Sequence, residues 1–156
     1  MLRTLREFKR PLNRQPEFFQ TDATNFFVII ASPEDAIYLD VAKNEEVDLD
    51  EHYKIGAIKE IIYDELEDDF YIMANKYEEK LGFFIIRIDA RRPREEYLFL
   101  TKWKNKLDIG DASLNVLRHS TQDGSHSFKE LIISFKSINI NTYNVIVMDI
   151  HNKENN

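Results

Sequence analysis

Residues Asp69–Ala90 read DFYIMANKYEEKLGFFIIRIDA, and this stretch decides the fold class. Phe70–Ala74 is aromatic and apolar, and Phe83–Ile88 is an almost unbroken apolar run, so the two read as strands. Lys76–Gly82 between them gathers the charges, and Gly82 can take positive φ in a tight connection. A hairpin this apolar is not stable alone in water and needs neighbours on at least one face. A gap-free shift of 60 positions lays it on Glu130–Ile150, ELIISFKSININTYNVIVMDI. Ile72 then falls on Ile132, Lys76 on Lys136, Phe83 on Tyr143, Ile86 on Ile146 and Asp89 on Asp149. A shorter version stands upstream in Asn25–Ala42, NFFVIIASPEDAIYLDVA. The expected fold is all-β, built from repeated antiparallel hairpins.

The same reading extends outward. Asn25–Ser32 and Asp35–Ala42 form the first hairpin, and Pro33 suits the second position of a type I turn between them. Lys43–His52, KNEEVDLDEH, reads as an acidic loop or a charged edge strand. Ala57–Asp64, AIKEIIYD, has a spacing open to a short helix or a strand, and its β-branched residues favour the strand. Beyond the central hairpin come a basic turn at Ala90–Arg94, a strand at Glu96–Trp103, and a connection at Lys104–Asp111 in which Gly110 marks a turn. Ser113–Arg118 alternates as a half-buried strand does. His119–Ser127, HSTQDGSHS, reads as an exposed loop with an Asp-Gly turn. The count is about nine or ten short strands, in a domain over residues 21–150 between a basic arm at 1–20 and a polar tail at 151–156.

Three hairpins close alike, with Leu39-Asp40-Val41, Ile88-Asp89-Ala90 and Met148-Asp149-Ile150. This ending resembles the third strand of a WD40-type β-propeller blade, although the chain carries no Trp-Asp pair and no Gly-His signature. The resemblance implies a propeller-like partial set of about three blades. Such a set leaves sheet faces and edges open, to be covered by other copies or by a partner. An antiparallel meander of this length could instead close as a single up-and-down β-barrel carrying a small apolar ligand.

Composition narrows the function classes. A chain of 156 residues with 43% hydrophobic content can bury a real core. A net charge of −7 disfavours general binding to nucleic-acid phosphates. The absence of cysteine removes disulfides, thiolate metal sites and thiol nucleophiles, and fits a reducing compartment, here expected to be the cytoplasm. No apolar run approaches a bilayer span, so no membrane role is expected. The segment Met1–Gln15 carries Arg3, Arg6, Lys9, Arg10 and Arg14 against Glu7 alone, which suits either an organellar transit peptide or a basic arm.

Catalytic chemistry finds little footing. His119 and His126 share a Ser-rich loop with Asp123, but a metal site or triad needs a rigid scaffold, so a solvated loop is expected. The run Asp64–Asp69, DELEDD, lacks calcium-loop spacing and reads as a solvated, charge-capped turn. No phosphate loop, nucleophile elbow or dinucleotide fingerprint is present. Charge segregation says more. Residues 34–69 hold fourteen acids against three lysines, and residues 87–106 hold seven basic residues against three acids. Opposed charged rims would orient a docking partner. Arg91, Arg92, Arg94, Lys102, Trp103 and Lys104 are the candidate contact residues, with no cofactor and no metal expected. The function expected is a non-catalytic interaction or scaffold subunit with a protein partner or self-association; the barrel carrier is the alternative.

Overall fold

The computed structural model describes residues 17–24, 27–31, 36–40, 43, 45–48, 55–76, 83–91, 97–103, 109–125, 127–137 and 141–150. Eleven strands run through them: β1 Phe18–Thr21, β2 Phe27–Ala31, β3 Ala36–Asp40, β4 Glu45–Asp48, β5 Ile55–Asp64, β6 Asp69–Lys76, β7 Phe83–Asp89, β8 Tyr97–Trp103, β9 Ile109–Ser120, β10 Ser127–Ser137 and β11 Thr142–Asp149. They form three antiparallel meanders: β1 to β4 in order, β5 to β8 in order, and β9 to β11 in order. The fold is all-β, with the hairpin as its unit, and its three sheets of three or four strands are compatible with a propeller-like partial set of blades. Among the described residues no pairing joins β4 to β5 or β8 to β9, so the strands do not close into one barrel. No helix of the described residues is long and apolar enough to cross a membrane.

The unbroken apolar run of β7 has its explanation in the stacking of these sheets. All seven of its residues are buried. Successive side chains of a strand point to opposite faces, so a strand buried on both faces has no polar alternation. Phe84, Ile86 and Ile88 join Phe70, Ile72 and Ala74 of β6 in one core with Ile29, Ala31 and Tyr38 of the first sheet. Phe83 and Ile85 join Tyr71 and Met73 in a second core with Leu114, Leu131, Ile133 and Phe135 of the third sheet. The second sheet is therefore the middle layer. Each fully buried isoleucine here contributes about 1.5–3 kcal/mol of burial free energy. Between sheets, β1 lies against β5 and β5 against β9, so the first strands meet along one side and the sheets fan out from it.

The repeat is real in architecture but not gap-free. Ile72 stands opposite Ile86, and its counterpart opposite Ile146 is Ile133, not Ile132. The shift is 61 residues for β6 on β10 and 60 for β7 on β11, because the second hairpin's connection is one residue shorter. A one-residue slip turns every side chain of a strand to the other face. The 60-residue superposition of Ile72 on Ile132 thus matches an inward residue with an outward one, whereas Ile86 on Ile146 and Asp89 on Asp149 hold.

Other differences have local causes. Gly110 marks a bulge inside β9, not a turn: Gly110 pairs Lys136 and Ser113 pairs Ser134, so two residues of β9 face Phe135 alone. Asp111 in the bulge has φ of 37°. His119 and Ser127 belong to β9 and β10, and the described part of the loop narrows to residues 121–125, with Gly124 at φ of 71°. β1 takes Phe18–Thr21, reaching back into the stretch read as a basic arm. Lys43–His52 resolves at Glu45–Asp48 as a charged edge strand, and Ala57–Asp64 is a strand. Residues 1–16, the turn at Pro33, the connection at 77–82 and the tail lie outside the described residues.

Candidate functional site

Three aspartates stand in one row across the middle sheet, Asp64 opposite Asp69 and Asp69 opposite Asp89. All three are buried. They end the strands on the face that carries Tyr71 and Met73, toward the third sheet. The solvated turn expected for DELEDD is confined to its middle: Glu65 and Leu66 are exposed, while Asp64 and Asp69 at its ends are in the core. The strand period places them there, and cations from other strands make the burial tolerable.

Those cations come mostly from the third sheet. β9 and β10 continue past the row, and Arg118 pairs with Lys129 in their register, both facing the middle sheet. Lys129 Nζ lies 2.8 Å from Asp64 Oδ2, with side-chain exposures of 1% and 2%. Arg118 Nη2 donates to the same oxygen. Burial pushes the Asp64 carboxyl up, but the hydrogen bonds and charges of Arg118 and Lys129 outweigh it and hold the group below its ordinary value. Lys129 Nζ also stands over the Tyr71 ring, 5.2 Å from its centroid. Within the middle sheet, Arg87 Nε is 3.9 Å from Asp69 Oδ2. Burial, then the carboxylates of Asp69 and Asp64, push the Tyr71 phenol up. The arrangement is a cross-sheet charge clamp. Among the described residues it does not gather into a group able to hold a metal.

A second clamp ties the first sheet to the middle one. The Tyr38 hydroxyl donates to the Ala90 carbonyl, and the ring stacks on Phe27 and meets Phe70 edge-on. Tyr63 Oη donates to Asp68 Oδ1 at 2.5 Å. Its phenol is pushed up to about 12 by burial first and then by that bond. An open cleft of about 450 Å³ lies where the first strands meet, with Gln20, Asp64, Glu65, Asn115 and Arg118 on its walls. Its guanidinium is already engaged by Asp64.

The basic patch read from the sequence is only partly placed. Arg91 is exposed and pairs with Asp68, Nε to Oδ2 at 3.0 Å. Arg92, Arg94 and Lys104 lie outside the described residues, and Lys102 and Trp103 are placed only by pairing with Phe84 and Phe83. Arg87, counted in the same basic block, is buried in the core and is not a rim residue. The His119–Asp123 grouping does not form: His119 Nε2 is 3.3 Å from Glu130 Oε2 and its ring stacks on Phe128. Asp123 accepts from Thr121 and Ser125 in its own turn, and those bonds hold it at about 2. His126 lies outside the described residues.

The feature that sequence reading missed is the outer face of the third sheet. Leu117, Phe128, Tyr143, Val145 and Val147 are 47%, 45%, 76%, 69% and 56% exposed. The register puts them with Ile132 on the face turned away from the middle sheet. Five of the seven large hydrophobics exposed among the described residues are thus on one face. The alternation in Tyr143-Asn144-Val145-Ile146-Val147-Met148 was a signal only once the inward residues were known. No protein-family model, no curated protein and no solved structure matches the chain.

Proposed function

We propose that this chain is a non-catalytic protein-interaction subunit, a stack of WD40-like propeller blades whose third sheet is the docking element. The observation that carries the reading is the concentration of exposed apolar side chains on that sheet's outer face. The middle sheet shows what such a face normally meets, since both of its own faces are covered by another sheet. The register sets Val145 and Val147 beside Ile132 on that face, and a cluster of exposed apolar side chains marks an interaction surface. The meeting of β1, β5 and β9 along one side supports the blade arrangement. The charged groups best placed among the described residues serve the interior, where Asp64, Arg118 and Lys129 join two sheets. Docking therefore rests on the apolar face more than on charged rims.

The test compares the wild type with the Val145→Lys/Val147→Lys variant. The wild type is expected to associate in light scattering or to take up an apolar-surface dye. The variant does neither, with an unchanged far-ultraviolet circular dichroism spectrum because both side chains are exposed. A wild type that stays at 18.5 kDa and leaves the dye dark refutes the proposal.

A further inference from the structure

The reading of the third sheet as a docking element leaves open what it takes, and the inference here rests on that reading. We propose that β11 pairs edge to edge, antiparallel, with β11 of a second copy of this chain.

The strand count opens the argument. The first and second sheets hold four strands each and the third holds three, with the far edge of β11 carrying no strand among the described residues. β11 occupies the place of β7, since Ile146 and Met148 face the preceding sheet as Ile86 and Ile88 do. In the middle sheet β8 covers that edge, pairing from Phe83 with Trp103 to Ile88 with Tyr97. Ile86 and Ile88 are there 1% and 0% exposed. Ile146 and Met148, with no such strand beside them, remain half-buried. β11 reads TYNVIVMD and pairs with β10 without a bulge. It has no proline, lysine or arginine, the devices that keep an edge strand from pairing.

Register and charge select the occupant. Opposed residues of an antiparallel pair share a face, so two copies can meet with Ile146 opposite Ile146. Val145 then faces the other copy's Val147, and Asp149 faces the other copy's Tyr143. Asp149 is the charged residue of β11, and the position it would meet is cationic: Lys136 Nζ stands 5.6 Å from the Tyr143 ring centroid. No like charges are brought together, and each copy supplies the other's fourth strand about a twofold axis. The register with Val145 opposite Val145 would carry Asp149 past Tyr143 to Asn141 and lose that match.

The chain has no cysteine, so single-cysteine variants report on the pairing directly. Opposed Cα atoms in an antiparallel pair are about 4.5–5.5 Å apart, within the span a disulfide bridges. Light scattering of the wild type should give twice the 18.5 kDa chain mass. Ile146→Cys should form a covalent dimer on mild oxidation, and Leu117→Cys, at the far edge of the same outer face, should not. An equal mixture of Val145→Cys and Val147→Cys chains should crosslink one to the other, which repeats the test without touching an inward side chain. A monomeric wild type, or a dimer in which none of the β11 cysteines crosslinks, overturns the inference. A dimer linked through Leu117→Cys alone refutes strand pairing and leaves the docking face standing.

Discussion

Removing the Lys129 ammonium is the sharpest test of the clamp between the second and third sheets. The two charges of the Lys129–Asp64 pair are 2.8 Å apart. Their attraction at an effective dielectric of about 20 is about 6 kcal/mol. Withdrawing both ions from water costs several kcal/mol each, so the intact pair adds little net stability. Breaking it is a different matter. In Lys129→Met the Asp64 carboxylate stays buried, with Arg118 and the Leu66 amide as its remaining donors among the described residues. The expected loss is about 3–5 kcal/mol, a large part of the roughly 5–15 kcal/mol that holds a domain together. Arg118→Met should cost less, about 1.5–3 kcal/mol, because the Arg118 side chain is 30% exposed and Lys129 stays in place. The assay is the urea midpoint at unchanged m. The double variant Asp64→Leu/Lys129→Met should be more stable than Lys129→Met alone, since no buried charge is left uncompensated. A loss below about 1 kcal/mol for Lys129→Met, or a double variant equal to the sum of the single ones, would refute the reasoning.

Two pH predictions follow from groups at the same sheet boundaries. Asp64 is held below its ordinary 3.8 in the folded state, so its contribution is complete above that value and is lost as pH falls through the folded one. The stability difference between the wild type and Asp64→Asn should shrink as the urea series is taken from about pH 5 to about pH 2.5, and a constant difference would sink the assignment. Tyr63 is raised from 10 to about 12, so its contribution is complete below pH 10 and is lost as pH rises through 12. Tyr63→Phe should remove a phenol ionising near 12 from the ultraviolet titration, and an unchanged titration curve would refute the placement of that hydroxyl against Asp68.

How much was legible in the sequence depended on whether the cause was local. Apolar runs in Phe70–Ala74 and Phe83–Ile88 disclosed their strands because burial on both faces leaves a continuous apolar signature. Asp123-Gly124 disclosed a turn because Gly124 takes positive φ there. Lys129 could not be recognised as buried, since its neighbours Phe128 and Glu130 look like any alternating surface strand and its partner Asp64 is far away in sequence. The same separation hid the burial of Arg87 and the two ends of DELEDD. Gly110 was ambiguous between a turn and a bulge until Lys136 and Ser134 fixed the register on either side. The one-residue difference in hairpin length was invisible to a rigid superposition, so the repeat showed up while the facing of Ile132 and Ile133 came out reversed.

The double burial of β7 sets a timetable for synthesis. One face of Phe83–Asp89 can close at once, on the first sheet and β6, which are already made. The other closes on residues 114–150, so up to 61 further residues must follow Asp89. At about 5–20 residues per second this interval is roughly 3–12 s. Through it the nascent chain presents Phe83, Ile85, Tyr71 and Met73 to the surrounding medium, in a sheet whose partner does not yet exist. A hairpin buried on both faces in the finished molecule is a sticky stretch of the unfinished one. Slowing elongation between Asp89 and Ile150 should therefore raise the aggregated fraction, while the same pause placed after Ile150 should leave the yield unchanged.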